Sequence, residues 1–411
     1  MIKLGKDLSF RSSIFVRKVN QAPTGTARKN EGQMLTKLTA RKLLTETGQI
    51  DYPIVTIEDG QIVSIESGPP NGSTETLTAA FFDIHVHGAC SHDFMAASSS
   101  EIAEVGRFLA VRGVGHYLPT TVTGPIDATL RALDTLADVI EHASTGQKAP
   151  MAVPVGIHLE GPFISHIKRG VHPPSCIQEP SIELFERFQQ AARGQIRLMT
   201  LAPGLPHVLE LIEHTTASGV RVTMGHSNAT ASETLAAIAA GATSSTHLFN
   251  AMRALDHREP GITGTILDRD DVYAEAICDG LHVHPAIVRL WLKMKGEKRA
   301  ILVTDGMSAT GMPDGTYALG DFSVEVKDGV CLSDGNLSGS VLTMDRAVEN
   351  LQRFTGASLG IAVRLASQNP ARMLGLEHLT ALTAGAPANF NLYNEAGKRL
   401  GSIFHSRRLA P

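Results

Sequence analysis

Cysteine is scarce in this chain. Its four cysteines, Cys90, Cys176, Cys278 and Cys331, are scattered and form no C-x-x-C pair. That spacing argues against a disulfide framework and a thiolate zinc site, and it fits a reducing, cytoplasmic compartment. Long apolar runs are lacking too: none approaches the ~18–20 residues of a membrane helix, so no membrane partner is expected. Positive charge is not in excess, since the net charge is −4. No general attraction to nucleic acid or anionic lipid follows. There is no internal repeat, nucleophile elbow, Ser-His-Asp order or Walker lysine. What remains is ordinary globular composition, 43% hydrophobic and 19% charged over 411 residues. That length accommodates one barrel of ~250 residues and a smaller domain.

The chemistry begins at Phe81-Phe82-Asp83-Ile84-His85-Val86-His87-Gly88. Strand side chains alternate, so His85 and His87 share a face, roughly 6–7 Å apart at Cβ, while Phe82, Ile84 and Val86 take the other. Two imidazoles at that spacing can converge on one metal ion. A lone His-X-His decides little; further ligands at other strand ends would decide it.

Those ligands follow. Strand patterns near 81–88, 116–122, 153–160, 196–202, 220–226, 243–248, 272–278 and 300–305 are separated mostly by helical patterns. The helices are expected over 99–112, 126–142, 182–192, 207–218, 231–240 and 285–295. This rhythm predicts an α/β fold, a (β/α)8 TIM-type barrel. The sixth strand has no evident helix after it, which predicts an insertion loop over 250–264. Past the eighth strand, the glycine-rich run 306–315 reads as a flexible rim, followed by a hairpin over 322–332 and helices over 343–354 and 358–367. Short strands near 35–39, 54–57 and 62–65, together with tail strands over 385–393 and 401–405, predict a small β-sandwich built from both chain ends. The expected domains are therefore 34–78 and 376–411 for the sandwich and 79–375 for the barrel. Residues 1–33, basic and without an apolar stripe, read as a disordered extension.

Ligand-type residues close several of these strands: His85 and His87, Glu160, His226, His247 and Asp305. Barrel enzymes keep their chemistry at that end of the strands. Nitrogen dominates the set, which suits Zn, Fe or Mn better than Ca or Mg.

The segments His-Val-His-Gly (85–88), His-Leu-Glu-Gly-Pro-Phe (158–163), Gly-His-Ser-Asn-Ala (225–229), Thr-His-Leu-Phe-Asn-Ala-Met (246–252), His-Arg-Glu-Pro-Gly (257–261), Asp-Gly-Leu-His (279–282), Thr-Asp-Gly-Met (304–307) and Leu-Ser-Gly-Ser-Val-Leu-Thr-Met (337–344) together resemble the N-acetylglucosamine-6-phosphate deacetylases of the amidohydrolase superfamily. The likeness runs from about residue 34 to 395. It implies metal-dependent hydrolysis of the acetamide of N-acetyl-D-glucosamine 6-phosphate in amino-sugar catabolism. It also implies one or two divalent ions, zinc first with iron, manganese or cobalt as the other fits, and a homodimer.

Residue by residue, the resemblance assigns a metal position to Glu160, His226 and His247, a second to His85 and His87, and the general base and acid to Asp305. It assigns sugar-phosphate contacts to Val171, His172, Asn250, Ala251, Arg258, Asp279, Gly280, Leu281, His282, Leu337, Ser338 and Gly339. His172 and His282 both remain candidates for the oxyanion, and His158 shares the parity of Glu160. Three other readings stay open: an N-acetylgalactosamine-6-phosphate deacetylase, a cyclic-amide amidohydrolase, and a catalytically silent sugar-phosphate sensor. The fourth strand lacks the lysine that cyclic-amide enzymes use to bridge two metals.

Overall fold

The computed structural model describes residues 17–18, 35–143, 150–404 and 406–410. Its centre is a ring of parallel strands, Phe81–Val86, Val114–Thr121, Ile157–Glu160, Ile196–Leu201, Arg221–Met224, Ser244–Ser245, Tyr273–Ile277 and Ala300–Val303. Each pairs with the next. Every residue of Phe81–Val86 is buried, as expected of a parallel strand covered on both faces. The last strand meets the first at their C-terminal ends, through a parallel bridge between Val86 and Gly306. There the Asp305 N–H donates to the His85 carbonyl at 2.9 Å and the His87 N–H to the Gly306 carbonyl at 2.7 Å. The third strand is broken: Val153–Pro154 pairs with the second and Gly156 turns the chain at φ 154 before Ile157.

Three expectations are corrected. The sixth strand is only two residues long, because His247 leaves the ladder with φ 28. The predicted loop over 250–264 ends early in a helix, Gly261–Asp268, whose side chains are buried nearly all round. A helix buried on every side shows no amphipathic stripe, and its two glycines hide it further. Nor is all of 306–315 a rim: 306–310 is buried, and only 311–315 is exposed. Met307 and Ala309 are fully buried, and the Met307 N–H donates to the Ser340 carbonyl at 3.0 Å.

A four-stranded meander, Gly315–Leu319, Phe322–Lys327, Val330–Ser333 and Asn336–Leu337, rises from this point over the mouth of the barrel. It has its own small core of Leu319, Val324, Val326 and Cys331 against Met307 and Ala309. The chain then returns to the barrel wall through helices Met344–Thr355 and Leu359–Ala366. A further helix, Gln368–Leu374, was hidden from the sequence by Pro370 in its first turn.

The small β-sandwich has one sheet of Thr36–Thr39, Pro53–Glu58 and Gln61–Ser67. The other runs in the order Arg407–Leu409, Arg399–Phe404, Phe390–Tyr393, Thr76–Ala79, Lys42–Thr45, Gly48–Asp51. Leu38, Val55, Ile57, Leu43, Leu77, Phe390 and Leu392 fill the space between the sheets. Arg17–Lys18 add a short antiparallel edge against Lys37 and Thr36. The rest of the predicted 1–33 extension lies outside the described residues.

Candidate active site

The expected ligands meet at the C-terminal mouth of the barrel. His226 Nε2 and His247 Nε2 are 3.1 Å apart, and they lie 3.3 and 3.2 Å from Glu160 Oε1. Beside them, His85 Nε2 and His87 Nε2 are 3.3 Å apart, with Asp305 Oδ1 3.5 and 3.1 Å away. Glu160 links the two groups: its Oε1 is 3.4 Å from His85 Nε2 and its Oε2 3.4 Å from His87 Nε2.

These distances test the fit of a metal. Donors at 2.0–2.1 Å from a tetrahedral ion stand about 3.3 Å from one another, close to the spacing here. Among the described residues three of the four histidines have their outer ring nitrogen engaged elsewhere, as metal-binding histidines commonly do, while His247 Nδ1 is buried without a partner. His87 Nδ1 lies 3.1 Å from the Thr120 carbonyl and His226 Nδ1 3.2 Å from the Lys168 carbonyl. Each therefore donates there, and the neutral ring turns the lone pair of Nε2 toward the metal position. Among the described residues Glu160 Oε1 has no hydrogen-bond donor although it is buried. The trio Glu160, His226, His247 and the trio His85, His87, Asp305 could each hold an ion.

Electrostatics agrees. Burial would raise the Glu160 carboxyl, but His85, His226 and His247 outweigh it and hold the group well below the usual carboxylate range. Asp305 is likewise pushed up by burial and down, more strongly in sum, by His85 and His87. Burial opposes charge on His85 and His87 as well, yet Glu160 and Asp305 raise them to about 9 and about 10. Without an ion the site thus takes up protons to balance its carboxylates, and metal uptake must release them.

His226, His247 and Asp305 have φ of 45, 28 and 52, a left-handed conformation that non-glycine residues rarely adopt. Neighbouring backbone holds each one: Ser165 N–H on the His226 carbonyl, Asn250 N–H on the His247 carbonyl and Ser340 N–H on the Asp305 carbonyl, at 3.0, 3.1 and 2.7 Å. Below the ligands, His158 gives Nδ1–H to the Ile84 carbonyl at 3.1 Å and Nε2 meets Thr200 Oγ1 at 2.7 Å. His158 is a strut, not a ligand. All of the ligands except the fully buried His85 floor an open cleft of about 450 Å³.

A family model described as the amidohydrolase family matches residues 76–404. The chain belongs to the amidohydrolase family. It is 38% identical over 344 residues to the N-acetylgalactosamine-6-phosphate deacetylase of Escherichia coli O157:H7, covering 83% of this chain and 90% of that one. To the N-acetylglucosamine-6-phosphate deacetylase of Lysinibacillus sphaericus it is 34% identical over 361 residues, 86% of this chain and 92% of the relative. The solved structure of a Mycobacterium smegmatis N-acetyl-D-glucosamine-6-phosphate deacetylase variant, in complex with N-acetyl-D-glucosamine-6-phosphate, superposes with a TM-score of 0.84 at 33% identity. It covers 91% of this chain and 98% of that chain. Amidohydrolases are metal-dependent, in keeping with the donor set just described.

Of the residues expected to touch substrate in this amidohydrolase, Val171, His172, Asn250, Ala251, His282, Leu337 and Gly339 line the cleft. Asp279 stands behind His282: its Oδ2 accepts His282 Nδ1–H at 2.6 Å and its Oδ1 accepts the Leu281 and His282 N–H groups at 2.8 Å. Gly280 and Leu281 form that turn. Ser338 is buried beneath the rim, with its hydroxyl on the Asn336 carbonyl at 3.0 Å. Arg258 is exposed on a separate loop, where its N–H meets Asp256 Oδ1 at 2.8 Å, and it does not reach the cleft of its own chain.

The two oxyanion candidates differ in their surroundings. His172 Nδ1 accepts the Thr123 N–H at 3.3 Å, so its proton sits on Nε2, 3.7 Å from Glu160 Oε2. Burial, helped by nearby His226, keeps the ring neutral well below the usual histidine range. His282 is opposed by burial but raised overall by Asp279.

Sequence reasoning missed Lys168 and Arg169, which line the cleft, and Glu275, buried in the seventh strand beside His85. Charges in a loop carry no periodic signal. A lone glutamate in Tyr-Ala-Glu-Ala-Ile has no partner at ligand spacing, although its company was signal enough to ask what it faces.

Proposed function

We propose that this amidohydrolase cleaves the acetamide of N-acetyl-D-glucosamine 6-phosphate, giving D-glucosamine 6-phosphate and acetate in amino-sugar catabolism. The observation that carries the reading is the convergence of Glu160, His87, His226, His247 and Asp305 at the floor of one cleft, with buried His85 3.3 Å from His87. Relatives named for this reaction, at 34% identity across most of the chain, support it.

Glu160, His226 and His247 would hold one divalent ion and His85 and His87, with Asp305, a second. Zinc fits first, and iron, manganese or cobalt also suit the donors. When bound, the ions supply Lewis acidity, which polarises the amide carbonyl and acidifies water. The chain does the rest. Asp305, ionised and fixed by its backbone bonds, takes a proton from the attacking water and returns it to the departing nitrogen. His172 Nε2–H donates to the acetyl oxygen as negative charge develops there. His282, held upright by Asp279, faces the sugar.

Lys168 and Arg169 at the rim give the phosphate an attractive field. Arg258 would reach the phosphate only from a second copy, so we read the enzyme as a homodimer. No helix of the described residues is long and apolar enough to cross a membrane.

The relative named N-acetylgalactosamine-6-phosphate deacetylase supports a second reading. The two sugars differ by the orientation of one hydroxyl, and the machinery is the same. Acetate release by the metal-loaded enzyme from both 6-phosphates, and from unphosphorylated N-acetylglucosamine, tests the choice. The glucosamine epimer should give the highest kcat/KM. Preference for the galactosamine epimer would establish the second reading, and turnover of neither would overturn both.

A further inference from the structure

Glu275 has no place in the reaction as described, yet it touches both halves of the site. It is fully buried in Tyr273–Ile277. Its Oε2 lies 3.3 Å from His85 Nδ1 and accepts the His247 N–H at 3.1 Å. Its own carbonyl accepts the next N–H along, that of Leu248, at 2.9 Å. One residue thus captures two successive N–H groups at the point where the sixth strand turns into its left-handed ligand, and also grips a ligand from the first strand.

Hydrogen-bond chemistry fixes the direction of the His85 contact. A carboxylate oxygen accepts and has no hydrogen to give, as its bond from the His247 N–H illustrates, so His85 Nδ1 is the atom that carries the hydrogen. The neutral ring then presents a bare Nε2, which faces His87, Glu160 and Asp305 at 3.3, 3.4 and 3.5 Å. With the other tautomer, Nε2 would carry a hydrogen into the metal position and could not ligate. His87 and His226 have their outer nitrogens fixed by backbone carbonyls. For His85 that task falls to Glu275.

We infer that Glu275 is a positioning residue that sets the tautomer and orientation of His85 and thereby governs how tightly the His85–His87 metal position is filled. The inference rests on the two-position reading of the metal centre, not on the identity of the sugar. It therefore stands or falls separately from the deacetylase assignment.

The test measures metal directly. Apo-protein is reloaded with Zn²⁺, and stoichiometry and affinity are read by elemental analysis and chelator competition for wild type, Glu275→Gln and Glu275→Leu. Loss of an outer-shell partner of a metal histidine typically weakens affinity about 10- to 100-fold. Glu275→Leu should show that loss at one ion of two, while the ion at Glu160, His226 and His247 weakens clearly less, because His247 loses one backbone bond but Leu248 N–H keeps the residue 275 carbonyl. Glu275→Gln keeps an acceptor oxygen of the same reach and should fall between, so a Leu variant that fails to fold leaves the test intact. Wild-type stoichiometry and affinity in both variants would overturn the inference. So would an equal loss of both ions, which would make Glu275 a general support of the barrel mouth.

Discussion

Asp305 leaves the eighth strand in a left-handed conformation, with its carbonyl bonded to Ser340 and its carboxylate among histidines. Its backbone is fixed without help from its side chain, so a change at the carboxylate should alter chemistry more than structure. Asp305→Asn keeps the shape and removes the base. General acid–base catalysis contributes about 10²–10⁴-fold, and kcat should fall at least ~100-fold with KM little changed. The trio of Glu160, His226 and His247 should keep its ion, as metal analysis would reveal. A variant with its metal and more than about a tenth of wild-type kcat would remove Asp305 from the role. This residue was legible in the sequence because it ends an apolar strand, as do Glu160, His226 and His247. Glu275 was not legible, because its meaning lies in what it faces across the barrel. Arg258 was legible as a charge within a motif, but its place outside the cleft of its own chain depends on the path of the loop.

Among the elements, the meander over 315–337 and the turn that follows it shape the cleft from above. Gly339 is where that turn meets the base. Its φ is 57, and a Cβ there would stand 3.2 Å from the Asp305 carbonyl oxygen and from Met307. Gly339→Ala should therefore cost about 1–2 kcal/mol in backbone conformation and also push on Asp305. Small displacements of a reacting group are expensive, up to about 100-fold for 1 Å, so kcat should drop by roughly 10-fold. Gly335→Ala is the control, with φ of 77 and nothing within 4 Å of its Cβ. It should share the loss of thermal stability and leave kcat intact. Equal kcat in the two variants would show that the contact with Asp305 does not matter. Long amphipathic helices and alternating strands carried the element order in the sequence. Helices 261–268 and 368–374 escaped it, one buried on all sides and the other opened by a proline.

At the scale of the whole molecule, the position of Arg258 makes a claim about assembly. If it serves the cleft of a second copy, Arg258→Ala should raise KM for the phosphorylated sugar about 10- to 100-fold, the worth of a charge-assisted contact. It should leave an unphosphorylated analogue nearly unchanged. Neither Arg258→Ala nor Asp305→Asn has a complete site alone, but a mixed dimer has one. Co-refolding the two should recover about a quarter of wild-type sites by random pairing. Mixtures no more active than the sum of the parts would place Arg258 outside the neighbouring site. A last consequence comes from the sandwich, whose strand Thr76–Ala79 lies between Lys42–Thr45 and Phe390–Tyr393. Chain leaves the ribosome at about 5–20 residues per second, so this strand waits roughly 15–60 s for its far neighbour to be made. All that time the nascent protein carries an open sheet edge, and a message cut short before the codon for Phe390 leaves the gap unfilled for good.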